Sequence, residues 1–544
     1  MKSDVRKRSV SVALVVTVIL ALVVPVAAGA QEATPIDPGP ETMLPDYIGA
    51  PAKAHPTPNS GVPQNPYLAP NPFSTVHIDP WMSDVVDIAG PLGRNPEVVT
   101  SALAHARQDS NSWKFQCIGI TFDSHGHLIT GCVEDGPLGQ TATVVLGDAK
   151  TLEVLDSYPL STPSSPLTSI SAAYWYFDNQ ERFTIADGPN TIVTLVEGGS
   201  EESPVFGEHP ATYNLEGVIP SNDHLSGVML DWQGRIWFAT AGVADHSEGA
   251  PAKACVLNPA TYENPATNLN VKCVSFGWNE QTGKNEQIFN TFAVTKTGVY
   301  IVTSEKMYRV WAGSDNQPNV VWSEPYDTVP PNTNNEFYVN GVKNGQYERG
   351  SGTSPTILGE GKYVAITDNA EPMKVVVFRT DKQLDPNEQK VCEVRVFENQ
   401  EGGALSNSLI GSRLSLIAEN NYGYADNWQQ DGKKPSAPGF ERIDIDPNGK
   451  GCTKVWSNTD VASTNSGKLS TRTGLIYVET RKMDNGLDVY YLTALDFRTG
   501  EVVWEKQVGS GYAFDHWYTG LFVGPDETVY LGVNGGIVSV RDLY

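Results

Sequence analysis

The chain has 544 residues, with 63 Asp and Glu against 38 Lys and Arg, for a formal net charge of −25. Like-charge repulsion on so acidic a surface excludes nucleic acid and anionic membranes as partners. The length would ordinarily mean several domains, unless a repeat architecture buries its core unit by unit.

Residues 1–30 read as a secretory signal peptide. Met1 to Arg8 is basic, an apolar run extends from Val10 to about Ala28, and Ala28-Gly29-Ala30 makes a small-x-small site before Gln31. Pro25 and the small residues after it favour cleavage over retention as an anchor. The expectation is a secreted or cell-envelope protein with no membrane contact after cleavage. Its six cysteines, an even number in an exported chain, are expected as disulfides. No Cys-x-x-Cys spacing points to zinc or attached haem.

Residues 31–72 hold eleven prolines and few large aliphatic side chains, so they predict an extended leader, a spacer or a wrapping arm. Asn95-Pro96-Glu97 predicts a helix start, with Asn as cap and Pro in the first turn, running to about Arg107. This is the one short helix expected. The segment 73–112 that holds it is expected to pack on or close the fold that follows.

From Trp113 one pattern returns: a short apolar strand, a polar or Gly turn, then a strand rich in Ile, Val and aromatics. Clear copies are Ile118–Gly131, Gly227–Ala241, Phe292–Ser304, Ser354–Asn369, Lys468–Thr480 and Leu521–Asn534. Weaker ones lie at Ala172–Ala186 and Ser408–Asn420. A second hairpin lies between copies, and Trp322, Trp456 and Trp504 each end one. Two hairpins per unit make a four-stranded blade, and a ring of blades leaves few free sheet edges. The fold expected over residues 113–544 is all-β, a single β-propeller of eight four-stranded blades, with seven as the alternative. The last strand, Gly536 to Val540, is expected to share a closing blade with N-terminal residues.

Cys117 and Cys132 are equidistant from the turn Asp123–Gly126 and are expected to face each other across one hairpin. Cys255 and Cys273 bracket a connection within one unit. Cys392 and Cys452 then pair by elimination, across neighbouring units.

A propeller gathers strand-end residues at one mouth of its channel, a usual place for binding. Here these include Asn290, Ser351, Thr353, Asn407, Ser466, Lys468, Glu305 and Glu479. Asp368, Asn369, Glu419 and Asn420 offer hard oxygen ligands suited to Ca²⁺, although Asp and Asn after a strand also brace turns. His224 and His516, each beside an Asp, are the candidate bases; a histidine hydrogen-bonded in the channel mouth is the plainer reading. His125-Gly126-His127 has metal-binding residue types but lies in a tight turn, which reads as solvated. Tyr174-Trp175-Tyr176-Phe177 reads as core packing, since strand alternation splits it between two faces.

Near the end, Ala494-Leu495-Asp496-Phe497-Arg498-Thr499-Gly500-Glu501-Val502-Val503-Trp504 has the spacing Ala-x-Asp-x-x-Thr-Gly-x-x-x-Trp. It resembles the repeat signature of quinoprotein-type β-propellers, with Glu501 where many repeats have Lys. The resemblance implies that Asp496 and Thr499 brace the turn and Trp504 docks one blade on the next. It also implies pyrroloquinoline quinone with Ca²⁺, and Lys468 or Arg349 as partners for a quinone carboxylate. The adjacent Cys-Cys pair usual in such alcohol dehydrogenases does not occur. The Asp/Asn/Glu set resembles that of calcium-dependent lactonase and strictosidine-synthase-like propellers, which have six blades. The functional expectation is therefore an exported, monomeric binding or scaffold propeller. Its acidic channel mouth would take a protein, glycan or small molecule. The alternatives are a quinone- and Ca²⁺-dependent dehydrogenase and a Ca²⁺-dependent lactonase or esterase.

Overall fold

The computed structural model describes residues 34–543, except 103–113, 137–138, 162–172, 202, 208–210, 244–250, 258–269, 280–282, 347, 382–383, 385–387, 425–435, 464 and 517. The expected signal segment, residues 1–30, lies outside the described residues. The chain is an all-β propeller, and among the described residues the helical content is one 3-10 turn, Tyr512–Phe514.

Six sheets stand as separate blades, over residues 176–214, 225–275, 293–325, 356–395, 410–458 and 468–510. Each is four strands deep, the first with its outer strand split in two and the last extended by two strands of the N-terminal segment. The count of separate blades is thus six, not the eight or seven expected. The first and last expected units share one eight-stranded sheet instead. In it, Gly535–Asp542 runs beside Lys114–Phe122 through the parallel pairs Gly535 with Phe115 and Gly536 with Gln116. The seam is glycine-lined. A Cβ at Gly532 would run into the Cys117 carbonyl, and one at Gly536, where φ is 141°, into that of Ser101. Only residues without side chains let the two units approach closely enough to fuse.

The expected helix is also corrected. Pro96–Ser101 is a strand, antiparallel to Gly535–Asp542. Val98, Val99 and Thr100 are β-branched and suit a pleated edge, and proline is tolerated as the first residue of an edge strand. The open outer edge of the last sheet overrode the capping signal at Asn95.

All three cysteine pairs are disulfides: Cys117–Cys132, Cys255–Cys273 and Cys392–Cys452. The first two are cross-strand pairs with Cα atoms 4.0 and 4.1 Å apart; the third ties neighbouring blades.

Blades are clamped in series by arginines that reach a carbonyl on the next blade's turns. Arg235 donates to the Gly313 carbonyl (3.0 Å), Arg309 to Thr380 (2.6 Å), Arg379 to Gly449 (2.6 Å) and Arg442 to Phe497 (3.3 Å). The turn Asp496–Gly500 receives the last of these clamps. Trp456 of the preceding blade donates its indole N–H to the Phe497 carbonyl at 3.0 Å, and Asn458 donates to Gly500 at 2.7 Å. Gly500, at φ 73°, lies flat under the Trp456 ring, where a Cβ would clash. Trp456→Ala should lower stability in chemical denaturation by about 2 kcal/mol. That is less than the ~3–5 kcal/mol of a fully buried Trp, because the ring is half-buried. Trp504 is fully buried against Tyr477 and Gly93.

The N-terminal segment positions the site. Tyr47–Gly49 adds a strand to the outer edge of the 468–510 blade, and the chain then enters the centre of the ring. There its carbonyls accept the inner-edge N–H groups of successive blades. Phe177 donates to Ser74 (2.9 Å), Val294 to Pro80 (2.7 Å), Ile357 to Trp81 (2.9 Å), Gly411 to Ser83 (2.8 Å) and Leu469 to Asp84 (3.0 Å). Val85–Val86 pairs in parallel with Lys468–Ser470. Five inner edges that would otherwise face the channel are thereby capped.

Candidate functional site

The arm makes a floor across the channel. It bends at Ile78, Met82 and Asp84, with φ of 79°, 54° and 54°. Non-glycine residues adopt this left-handed region only when their surroundings fix them there, at about 1–3 kcal/mol each. Asp84 is the fixing point. Its Oδ1 is 2.7 Å from Lys468 Nζ, and both side chains are fully buried. Its Oδ2 accepts from Ser408, and from Ser466 at 3.1 Å. Burial pushes the Asp84 carboxyl up, but Lys468 and His77 outweigh it and hold its pKa below the usual carboxylate range.

His77, on the same arm, faces Asp84 through Nδ1 at 3.2 Å. Ser408 Oγ is 2.8 Å from that nitrogen, and since its own proton goes to Asp84 it accepts there. Nδ1 therefore carries the proton in neutral His77. Nε2 is then the acceptor and faces Ser354 Oγ at 3.2 Å. The order Ser354, His77, Asp84 is the order of a nucleophile, a base and an orienting carboxylate.

Ser354 and His77 line a cavity at the centre of the ring. Its walls come from residues entering the innermost strands: Ile118, Tyr174, Asn290, Asn407, Ser466 and Tyr518. The lining is mainly apolar, with polar groups converging from different blades. Tyr174 donates to Asn290 at 2.8 Å, and Tyr518 reaches across to the Gly345 carbonyl at 2.8 Å.

The residues singled out in the sequence are distributed as follows. Asn290, Asn407 and Ser466 line this cavity. Lys468 lies directly behind it, its charge taken by Asp84, its ammonium also donating to the Ser466 carbonyl at 3.0 Å. Arg349 is buried and bonded to Glu305, and to Ser304 at 3.2 Å. Asp368 accepts the backbone N–H of Lys374 at 2.7 Å, and Asn369 donates to Gln346 at 3.0 Å. Glu419 accepts from Asn407 at 2.5 Å and Asn421 at 3.1 Å. Asn420 accepts from Ala404 at 3.2 Å and Tyr422 at 3.0 Å. These four brace loops of adjacent blades; burial pushes Asp368 and Glu419 up to about 7. His224 and His516 are outside the cavity lining. Burial lowers both, His516 to about 3, and His516 Nε2 is 3.4 Å from Glu479.

His77, Asp84, Ser354 and Ser408 were not among the sequence candidates. The available signal was Ser74-Thr75-Val76-His77-Ile78-Asp79, continuing to Ser83-Asp84, polar residues set among apolar ones directly after a proline-rich leader. Only the ring brings them to the serines some 280–330 positions on.

No family model matches the chain. A protein of Archaeoglobus fulgidus described only as uncharacterized is 22% identical over 448 residues, 74% of this chain and 75% of that one. Among solved structures, a putative 6-phosphogluconolactonase from Bacteroides uniformis has TM-score 0.38 at 12% identity, over 73% of this chain and 99% of its own. BamB from Moraxella catarrhalis has TM-score 0.32 at 14% identity, over 66% and 91%. Streptogramin B lyase has TM-score 0.31 at 10% identity, over 82% and 98%. At these values the likenesses carry no argument about activity.

Proposed function

We propose that this chain is an exported binding propeller that holds a small molecule in the floored central cavity. The cavity itself carries the reading: apolar walls, a few convergent polar groups and one closed end are the usual features of small-molecule sites. Three disulfides suit an oxidising compartment, and no helix among the described residues is long and apolar enough to cross a membrane. A compound library screened by thermal shift should yield ligands that stabilise the chain. At a hundred times Kd the gain is about 2.7 kcal/mol. Ala173→Phe, which fills the wall of the cavity, should abolish that gain. Stabilisation that survives Ala173→Phe would place the ligand elsewhere.

A second reading rests on Ser354, His77 and Asp84. In it the cavity hydrolyses an ester or lactone: His77 Nε2 takes the Ser354 proton, the oxygen attacks the carbonyl, and the imidazolium returns the proton to the leaving alcohol as the ester C–O bond breaks. A water deprotonated by His77 then attacks the acyl-Ser354, releasing the acid and restoring the serine proton. A fluorophosphonate probe should label Ser354 in the wild type and nothing in Ser354→Ala, while Ser354→Ala keeps its ligand-induced stabilisation. Absence of labelling with ligand binding intact leaves the protein as a binder. The quinone reading has less support, because Asp84 and Glu305 already take the charges of Lys468 and Arg349.

A further inference from the structure

A second cluster of side chains lies apart from the lining of the central cavity. Three inner hairpins turn in the same way. At each, an Asp accepts the backbone N–H two and four residues on through Oδ1, and holds the fourth residue's side chain through Oδ2. At Asp178 that side chain is Arg182 (2.6 Å) and at Asp231 it is Arg235 (2.7 Å). At Asp123 it is His127, with Nδ1 at 2.6 Å. An imidazole thus occupies the place an arginine takes at the other two turns.

The strand Thr191–Ser200 of the adjoining blade brings a second carboxylate to the same place. Glu197 Oε1 is 3.5 Å from His127 Nδ1. Its Oε2 is buried and has no hydrogen-bond partner among the described residues. Ligand atoms of Asp123, His127 and Glu197 all lie within 4.8 Å of one another. Two carboxylates in contact with one imidazole, one of them holding a buried unpartnered oxygen, form a compact set of nitrogen and oxygen ligands. At the rim, His125 Nδ1 stands 3.6 Å from Glu201 Oε1, both exposed, and the two imidazole centres are 6.0 Å apart.

We propose that Asp123, His127 and Glu197 bind a first-row divalent cation, zinc foremost, with solvent or His125 completing the shell. One imidazole and two carboxylates suit zinc, and the mixed N/O set does not suit Ca²⁺, which takes oxygen alone. Binding ties the first hairpin of the fused sheet to the neighbouring blade, a structural rather than a catalytic role.

The test uses the full-length untagged chain, stripped with chelator and titrated with zinc by calorimetry and against a chromophoric indicator. One zinc per chain at micromolar Kd or tighter is expected, with a rise in Tm. His127→Arg is the decisive variant, because Arg182 and Arg235 show that arginine satisfies this turn. It should fold with the Tm of the stripped wild type and lose zinc binding at least a hundredfold; Glu197→Gln should lose at least tenfold. No stoichiometric zinc in the wild type overturns the proposal. So does undiminished binding in a folded His127→Arg, which would place the zinc elsewhere.

Discussion

Asp84→Ala is expected to lower the unfolding free energy by about 3–5 kcal/mol, because it leaves the Lys468 ammonium buried without its counter-charge. Lys468→Met should cost a comparable amount by stranding Asp84. The double variant should recover part of the loss, since two buried charges removed together leave neither uncompensated. The cost does not end at the pair. Asp84 also anchors His77, Ser408 and Ser466, and it sits at the last of three left-handed bends in the arm. Losing the anchor should free the arm from the inner strands, so limited proteolysis within residues 65–88 should accompany the drop in denaturation midpoint. Single variants that each cost under about 1 kcal/mol would show that the many backbone bonds along the arm hold it unaided. The sign with pH is fixed by the lowered pKa. This stabilisation is present above the unfolded Asp value of about 3.9 and is lost only as pH falls through the still lower folded value.

The strands were legible because short apolar runs bounded by turn residues, such as Gly227-Val228-Met229-Leu230 and Ile236-Trp237-Phe238-Ala239, are a local property. So is the Asp-x-x-Gly chemistry of their turns. Two of the disulfides followed from the same hairpins, and the third, Cys392–Cys452, by elimination. What misled was any residue whose role is set by a distant neighbour. Asn95-Pro96 starts a helix in isolation, yet the free edge of Gly535–Asp542 makes its segment a strand. Gly532 lay in an expected strand copy and Gly536 began the expected last strand; the fused seam they permit removed two separate blades from the count. The candidate site divided along the same line. Asn290, Asn407 and Ser466 were reachable from strand position alone. His77 and Asp84 lie in a stretch with no periodicity, and their partners, Ser354, Ser408 and Lys468, are on three different blades. Asp368 and Glu419 were read from residue type, and in the fold their oxygens serve mainly the loops that follow them.

The chain should be more stable at pH 5 than at pH 7.5, opposite to the usual behaviour of a protein held by ionised carboxylates. Asp79, Asp368 and Glu419 are buried, and in each case burial pushes the carboxyl up to about 7. Between the unfolded values near 4 and the folded value near 7, the native state keeps protons that the unfolded chain has released. Stability therefore falls as pH rises through that window. His516 works the other way. Its folded pKa of about 3 means the unfolded chain binds the extra proton below about 6.5, so this group favours the native state as pH rises. His224, also lowered by burial, acts in the same direction, so two histidines oppose three carboxyls. At about 1.4 kcal/mol per pKa unit for each group, the carboxyls dominate from pH 5 to 7. Unfolding followed by denaturant in chelator-containing buffer should show stability declining by several kcal/mol over that range. Asp79→Asn and Glu419→Gln keep an acceptor oxygen and remove the ionisation. Each should raise stability at pH 7.5 relative to pH 5 and flatten the profile, and the pair should flatten it further. A wild-type profile that is level or rising between pH 5 and 7, or variants that leave its slope unchanged, would show that these carboxyls are ionised in the native state.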